Sequence, residues 1–241
     1  MKRICVLTLL FCLGFCFAFG VNLEKPKKVL VFTKTAGFRH DNIEEGVKVL
    51  SGLLKDQNMQ MFHTEDANVF LADSLNNFDA VLFFSTTGDI FNADQKEAFQ
   101  KFLKSGKGFM GIHAATDTEH SWPWYNGLVG AYFASHPAVQ EAKIDVKNRK
   151  HLATKHLPKV WMHKDEWYDF SNVKPDLKIL MTLDESSYKD GKMGDFHPIA
   201  WYQVYDGIKV FYTGLWHTKE SLHEPNFQKQ IIGGLKYVLG Y

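Results

Sequence analysis

The first half of the chain alternates apolar runs with stretches whose apolar residues recur at helical spacing. The apolar runs, rich in β-branched and aromatic residues, predict strands at Lys28–Thr33, Met59–His63, Phe78–Ser85 and Gly108–Ile112. One helix is predicted to begin after Asp41, with Glu44 completing a capping box. Another is predicted at Ala93–Lys104 behind the cap Asn92, and a short helix between the second and third strands.

This alternation predicts an α/β fold with a mostly parallel central sheet and helices on both faces. In such sheets, ligands bind in the crevice beyond the carboxyl ends of the strands. The loops that follow the predicted strands are therefore the first place to look for chemistry.

The second half is less regular, but it contains further strand patterns and a closing helix. Strands are predicted at Ala138–Val146, Lys178–Asp184, Phe196–Tyr205 and Lys209–Thr213. The last two flank Asp206-Gly207, a hairpin turn signal, and Asn226–Leu239 has the pattern of an amphipathic helix. The aromatic-rich stretch Trp161–Phe170 is predicted to be irregular. Without repeats or a linker, residues 21–241 are expected to form one domain.

The first 20 residues have the pattern of a secretory signal peptide. Lys2 and Arg3 precede an apolar stretch, and Ala18 and Gly20 are the small residues that a signal peptidase prefers. The apolar run is shorter than the roughly 20 residues that a spanning helix needs. We therefore expect cleavage after Gly20, a periplasmic or extracellular protein, and no stable membrane insertion. A lipid anchor on Cys16 is less favoured because Phe15, the residue before it, is not small.

Composition excludes several classes of site. All three cysteines, Cys5, Cys12 and Cys16, lie in the predicted leader, so residues 21–241 contain no disulfide, no thiolate nucleophile and no cysteine-based zinc site. The 28 Lys and Arg residues balance the 27 Asp and Glu residues, which gives no reason to expect a nucleic-acid partner. Aromatic residues make up 15% of the chain and there are 11 histidines, which suits a hydroxyl-rich ligand such as a sugar, or simply an aromatic core.

The most distinctive candidate is His113, which ends the apolar run Gly108–Ile112 and is followed by small residues. This is the pattern of a strand-to-helix elbow, where related architectures carry Ser or Cys. An imidazole there is a proton carrier or a metal ligand. If the next segment is helical, Asp117 shares a face with His113 and can orient it or join it on a metal, although Asp117 also simply suits the helix dipole.

The other candidates also lie at predicted strand ends or beside aromatic residues. His217 is expected to be catalytic, and Glu166, next to Trp167, is a further acid or base candidate. The expected ligand-binding residues are Phe38, Arg39, His40, Gly88, Asp89, His136, His197, Trp201 and Trp216. Each of these also has a plainer interpretation, as a loop residue, a turn residue or part of the core. No glycine-rich phosphate fingerprint follows the first strand, so a nucleotide cofactor is not expected.

Several of these segments together resemble the ThuA-like (trehalose-utilisation) family, which shares the flavodoxin-like, class I glutamine amidotransferase-like fold. The segments that carry the resemblance are Gly37–His40, Phe78–Asp89, Gly111–Asp117, His136–Pro137, Asp165–Tyr168, Pro198–Trp201 and the strand that ends at His217. The resemblance implies this fold over nearly all of residues 21–241, and a role in carbohydrate catabolism. Amidotransferases carry a cysteine at the elbow and a later His-x-Glu. Here His113 replaces the cysteine, so glutamine hydrolysis through a thioester is excluded.

Three functions follow as alternatives. The first is an exported enzyme in which His113 and His217 exchange protons with a sugar or keto-sugar, oriented by Asp117 or Glu166, with amides near Gly88 as an oxyanion hole. Isomerase, lyase and hydrolase activities all fit this set. The second is a non-catalytic sugar-binding protein, and the third is metal-dependent hydrolysis at an open histidine–carboxylate site. No cofactor is expected, although a divalent metal is left open, and the pattern is compatible with a homo-oligomer.

Overall fold

The computed structural model describes residues 25–241, so the predicted signal peptide lies outside the described residues. Eleven strands and five α-helices are found in this part of the chain. The strands are β1 Lys27–Phe32, β2 Met59–Thr64, β3 Ala80–Phe84, β4 Gly108–Ile112, β5 Tyr132–Ser135, β6 Gln140–Val146, β7 Val160–Asp165, β8 Asp169–Ser171, β9 Lys178–Asp184, β10 His197–Tyr205 and β11 Ile208–Thr213. The helices are α1 Ile43–Asp56, α2 Ala93–Lys104, α3 Pro123–Val129, α4 Lys219–Leu222 and α5 Pro225–Leu239.

Nine of the strands form one sheet in the order β2-β1-β3-β4-β11-β10-β9-β6-β7, and β5 pairs with β8 separately. The pairs from β2 to β11 are parallel, and the pairs from β11 to β7 are antiparallel. Following these directions across the sheet, only β10 and β6 of the nine run against the others. The predicted α/β fold with a mostly parallel sheet is therefore confirmed, and the 2-1-3-4 strand order is that of flavodoxin-like folds.

Two adjacent phenylalanines of β3 show that helices cover both faces of the sheet. Successive side chains of a strand point to opposite faces. The ring of Phe83 stacks on Phe99 of α2, with centroids 5.3 Å apart. The ring of Phe84 fills the space beside Gly46 of α1. Helices α1 and α2 therefore lie on opposite faces, and β3 is buried between them.

The most regular parts of the pattern were predicted closely. The predicted bounds of β4 and β9 coincide with those observed. The predicted cap Asn92 of α2 is present and forms a capping box, because Asn92 Oδ1 accepts from Gln95 N at 2.9 Å and Gln95 Oε1 accepts from Asn92 N at 3.0 Å. Among residues 25–241, no helix is both long and apolar enough to cross a membrane.

Three local predictions were wrong. Asp41 does not cap α1; the cap position is Asn42, whose side chain bonds elsewhere, and Asp41 pairs with Lys219 at 2.9 Å. The short helix before β3 consists of two 3₁₀ segments, Ala67–Leu71 and Asp73–Asn77. The stretch predicted to be irregular contains β7 and β8, because its pairing partners are distant in sequence and its aromatic residues mask any alternation.

The two glycines of α1 give a matched test of this packing. A Cβ at Gly46 would overlap the buried ring of Phe84, whereas a Cβ at Gly52 meets nothing within 4 Å. We expect Gly46→Ala to lower the free energy of unfolding by about 1–3 kcal/mol. Gly52→Ala should raise it by about 0.5–1 kcal/mol, because alanine favours the helix. Urea denaturation of both variants checks this, and equal effects would contradict the close packing of α1 on β3.

Candidate active site at the carboxyl ends of the parallel strands

Three neighbouring parallel strands end in strained backbone. Non-glycine residues with positive φ follow β3, β4 and β11, namely Ser85 (φ 50°), His113 (φ 52°) and Trp216 (φ 82°). Such conformations cost about 1–3 kcal/mol each and persist only where the surroundings enforce them. Their coincidence at the rim where the fold places ligands marks this rim as the candidate site.

His113 occupies the predicted elbow after β4. Its carbonyl oxygen accepts a hydrogen bond from the Tyr212 hydroxyl at 2.7 Å, which holds the strained turn. Its side chain is fully buried, and Nδ1 lies 3.1 Å from the carbonyl oxygen of Gly214. A carbonyl oxygen can only accept, so Nδ1 carries the proton and Nε2 presents a lone pair.

The lone pair of His113 points into a compact cluster with Glu166 and His217. His113 Nε2 lies 3.0 Å from His217 Nδ1 and 3.4 Å from Glu166 Oε2. His217 Nδ1 lies 3.1 Å from the same carboxylate oxygen. Three potential acceptor atoms from three distant chain segments therefore face one another.

Two further histidines border the cluster. The buried ring of His40 lies with its centroid 4.9 Å from that of His113 and 5.4 Å from that of His217. His136 Nδ1 lies 3.2 Å from Glu166 Oε1, and its side chain is 43% exposed. His217 is 23% exposed, whereas Glu166 is 8% exposed. The site thus has a buried floor and an accessible rim.

The charges of the cluster depend on one another. Burial alone would raise the pKa of Glu166, but the neighbouring side chains of His113 and His217 outweigh it and hold the pKa well below its usual range. Burial alone would lower the pKa of His217, but the hydrogen bond with Glu166 raises it above its usual value. Burial, with the neighbouring histidines, lowers the pKa of His40 to about 3. His40 is therefore neutral near pH 7, while Glu166 is ionised.

Asp165 and Asn42 hold the segment that carries His217. The buried carboxylate of Asp165 accepts hydrogen bonds from the backbone N–H groups of Trp216 (2.9 Å), His217 (3.2 Å) and Thr218 (3.0 Å). From the other side, Asn42 Nδ2 donates to the carbonyl oxygens of Trp216 (2.6 Å) and His217 (3.0 Å). Both the donors and the acceptors of this turn are satisfied, which fixes the position of His217.

Asp117 and Gly88 are bonded in ways that differ from the expected roles. The segment His113–Asp117 is a 3₁₀ helix, in which residues four apart do not share a face. The carboxylate of Asp117 instead pairs with His120 at 3.3 Å. The amide of Gly88 donates to Asp117 O at 2.7 Å, so it is not free to act as an oxyanion hole. Asp89 lies in the same turn, where it accepts from Ser121 at 3.4 Å.

The remaining expected ligand-binding residues lie in two places. Phe38 is 68% exposed and packs edge-on against His40, while Arg39 forms ion pairs with Glu44 and Glu65. Three others are fully buried and are not members of the cluster. His197 and Trp201 have hydrogen-bond partners of their own. Trp216 packs against Phe84, and its Nε1 has no hydrogen-bond partner among the described residues.

A second group of possible ligand atoms consists of Asp169, Glu185 and His197. Its atoms are already engaged. His197 lies 2.8 Å from Glu185 Oε1 and 2.8 Å from the carbonyl oxygen of Tyr168. Glu185 also accepts from two backbone N–H groups. This group braces the segment between β7 and β8, which carries Glu166.

Sequence reasoning missed three residues that build the site, namely Asn42, Asp165 and Tyr168. Tyr168 packs on the ring of His113 at 4.3 Å, and its hydroxyl lies 3.4 Å from His40 Nε2. Asp165 and Tyr168 lie in the Asp-Glu-Trp-Tyr segment that carried part of the family resemblance, so that segment was the available signal. For Asn42, the sequence indicates only a position at the start of a helix and nothing about a role in the site.

The family model for ThuA, described as trehalose utilisation, matches residues 28–238. The chain belongs to the ThuA family. Membership indicates a role in trehalose utilisation or carbohydrate metabolism more generally. No curated protein matches the sequence.

Solved structures share the ThuA fold. A ThuA-like protein from Bacteroides uniformis is 18% identical, with a TM-score of 0.75, over 93% of this chain and 95% of that one. One from Parabacteroides merdae is 20% identical, with a TM-score of 0.75, over 90% and 91%. A β-galactosidase from Rahnella is 12% identical, with a TM-score of 0.59, over 88% of this chain and 31% of that one. At these identities the likeness shows the fold alone.

Replacing Asp165 with asparagine tests how the ThuA site is held. The amide offers one acceptor oxygen where the carboxylate offers two, and it turns an NH₂ group toward backbone donors. We expect Asp165→Asn to lower the free energy of unfolding by about 2–4 kcal/mol. Asp145→Asn is the control; it loses only surface ion pairs with Lys143 and Lys147 and should change stability by less than about 0.5 kcal/mol. Equal effects in urea denaturation would contradict a holding role for Asp165.

Proposed function

We propose that the protein is an exported enzyme of carbohydrate catabolism that moves protons on a sugar or keto-sugar derivative. The observation that carries this is the contact of His217 Nδ1 with Glu166 Oε2 at 3.1 Å, at a rim that is open to solvent on the His217 side. A carboxylate that accepts from one imidazole nitrogen leaves the other nitrogen basic and correctly oriented. Membership of the trehalose-utilisation family supports a carbohydrate as the substrate.

In this mechanism His217 is the general base and Glu166 orients it. Nε2 of His217, on the far side of the ring from Glu166, removes a proton from a carbon next to a sugar carbonyl. The electrons of the C–H bond then form an enolate. The proton can return to the former carbonyl carbon while a second proton moves from the neighbouring hydroxyl to the enolate oxygen, which gives isomerisation. Alternatively, protonated His217 gives the proton to a hydroxyl on the next carbon, which leaves as water, and this gives elimination.

His113 and His136 assist from either side. His113 Nε2 lies 3.0 Å from His217 Nδ1, and its lone pair can accept the proton that His217 Nδ1 carries. Both neighbours of His136 Nδ1, Glu166 Oε1 at 3.2 Å and Pro137 O at 2.9 Å, are acceptors, so this nitrogen carries a proton. His136 Nε2 is left to bond a sugar hydroxyl or carbonyl. In this proposal Glu166, not Asp117, is the orienting carboxylate.

Hydrogen exchange tests the proposal even when the product has not been identified. Purified protein is incubated with keto-disaccharides in D₂O, and deuterium uptake and new products are followed by mass spectrometry. We expect turnover with the natural sequence. His217→Ala should lower kcat about 100-fold or more, because the general base is lost.

The matched control is His223→Asn, which removes an exposed histidine that pairs only with Glu45 on the surface. It should keep kcat within about twofold. If keto-disaccharides bind but neither exchange nor react, the binding-protein alternative replaces this proposal. Full turnover in His217→Ala would also overturn it.

Export is tested separately at the amino terminus. If residues 1–20 are removed as proposed, protein recovered from outside the cytoplasm begins at Val21. Intact-mass measurement of that fraction checks this. A mass that includes Met1, or one that includes lipid on Cys16, would contradict cleavage after Gly20.

A further inference from the structure

We infer that His40, His113, Glu166 and His217 together bind one divalent first-row transition-metal ion. Each offers one ligand atom, and these four atoms lie within 4.8 Å of one another. The inference rests on the arrangement of these atoms and does not require that a sugar is turned over. It also bears on the third function that the sequence left open, metal-dependent hydrolysis.

Too few hydrogen atoms lie between the facing atoms of His113, Glu166 and His217 for every pair to form a hydrogen bond. His113 Nδ1 donates to Gly214 O, so a neutral His113 has only a lone pair at Nε2. Glu166 Oε2 is also an acceptor. A single N–H on His217 Nδ1 faces both of them, at 3.0 and 3.1 Å. With neutral histidines, His113 Nε2 and Glu166 Oε2 therefore face each other at 3.4 Å with no hydrogen between them.

The contact between His113 Nε2 and Glu166 Oε2 lacks a positive charge between the two acceptor atoms. Either a second proton or a metal cation has to stand between the acceptors, because two buried lone pairs that face each other repel. The environment of His40 favours the metal cation over the second proton. Its ring is 5% exposed, and its Nδ1 has no hydrogen-bond partner among the described residues. A proton shared by the other three side chains would leave that nitrogen unsatisfied.

The distances suit a coordination sphere. Nitrogen and oxygen ligands lie about 2.1 Å from such ions, so two ligands are about 3.0 Å apart at a right angle and about 3.4 Å apart at the tetrahedral angle. The three measured edges are 3.0, 3.1 and 3.4 Å. Atoms on opposite sides of an ion are separated by about 4.2 Å. No two of the four ligand atoms, that of His40 included, lie more than 4.8 Å apart.

The surroundings of the cluster are those that metal ligands require. Gly214 O fixes the tautomer of His113, and His136 bonds the outer oxygen of Glu166 at 3.2 Å. Asp165 and Asn42 fix the backbone of His217. Three imidazoles and one carboxylate favour Zn²⁺, Mn²⁺ or Fe²⁺ over Mg²⁺ and Ca²⁺, which prefer oxygen ligands.

A bound ion would change which group moves the proton. His113 and His217 would be ligands, and a metal-bound water, with its pKa lowered by the ion, would be the acid or base at the rim. The ion could also polarise a sugar carbonyl or two neighbouring hydroxyls. The protein would still transfer protons on a sugar, but the metal-bound water would do so instead of the imidazole of His217.

Elemental analysis and titration test the inference. The full-length sequence is expressed without an affinity tag, and metals are measured after dialysis against metal-free buffer. We expect about one equivalent of a transition metal. After EDTA treatment, calorimetric titration should show one site for Zn²⁺ or Mn²⁺ and much weaker binding of Mg²⁺ and Ca²⁺.

Single substitutions locate the site. His113→Ala and Glu166→Ala should each weaken Zn²⁺ binding about 100-fold or more, whereas His223→Asn should change it less than about twofold. Circular dichroism confirms that each variant is folded, and His113→Asn replaces any alanine variant that is not. Less than a tenth of an equivalent of metal with no binding on titration would overturn the inference, as would equal loss in His223→Asn.

The outcomes separate this inference from the proposed function. Metal binding without any turnover of sugars would keep the inference and reject the function. Full turnover by EDTA-treated protein that does not bind metal would keep the function and reject the inference. Loss of deuterium exchange on EDTA treatment, restored by one equivalent of metal, would support both.

Discussion

The site depends on the buried carboxylate of Asp165. It is fully buried, and it accepts hydrogen bonds from three backbone N–H groups of the turn after β11. Those bonds tie the end of β7 to the end of β11, although the two strands are not neighbours in the sheet. Because Glu166 follows Asp165 and His217 lies in the bound turn, these three hydrogen bonds bring two side chains of the candidate site together.

The fold was predictable because the parallel half of the sheet is encoded locally. Each of its first four strands is a short apolar run between helical patterns, and the elbow residue His113 is visible where one run stops. The same logic found His40, His113 and His217, since carboxyl ends of parallel strands meet at one edge. Strand order and the ThuA family model agree with that interpretation.

The partners within the site were not predictable in the same way. Asp117 was expected to orient His113 because both lie in one segment, but in the 3₁₀ geometry its carboxylate pairs with His120, and Glu166, from the segment between β7 and β8, lies 3.4 Å from His113 instead. Asn42 was overlooked because its side chain serves a turn 174 residues away instead of its own helix. Pairings across the sheet leave no periodic signal, so only the assembled structure shows them.

The assembly of the cluster has a consequence for the order of folding. His113 and His217 are 104 residues apart, and Asn42 bonds a carbonyl 175 residues later in the chain. Contacts of such long range form late and slow the folding of a domain. During synthesis, His217 therefore cannot join His113 and Glu166 until the turn that carries it has emerged. A chain that stops before this turn lacks one corner of the cluster, so the candidate site is complete only when β11 has joined the sheet.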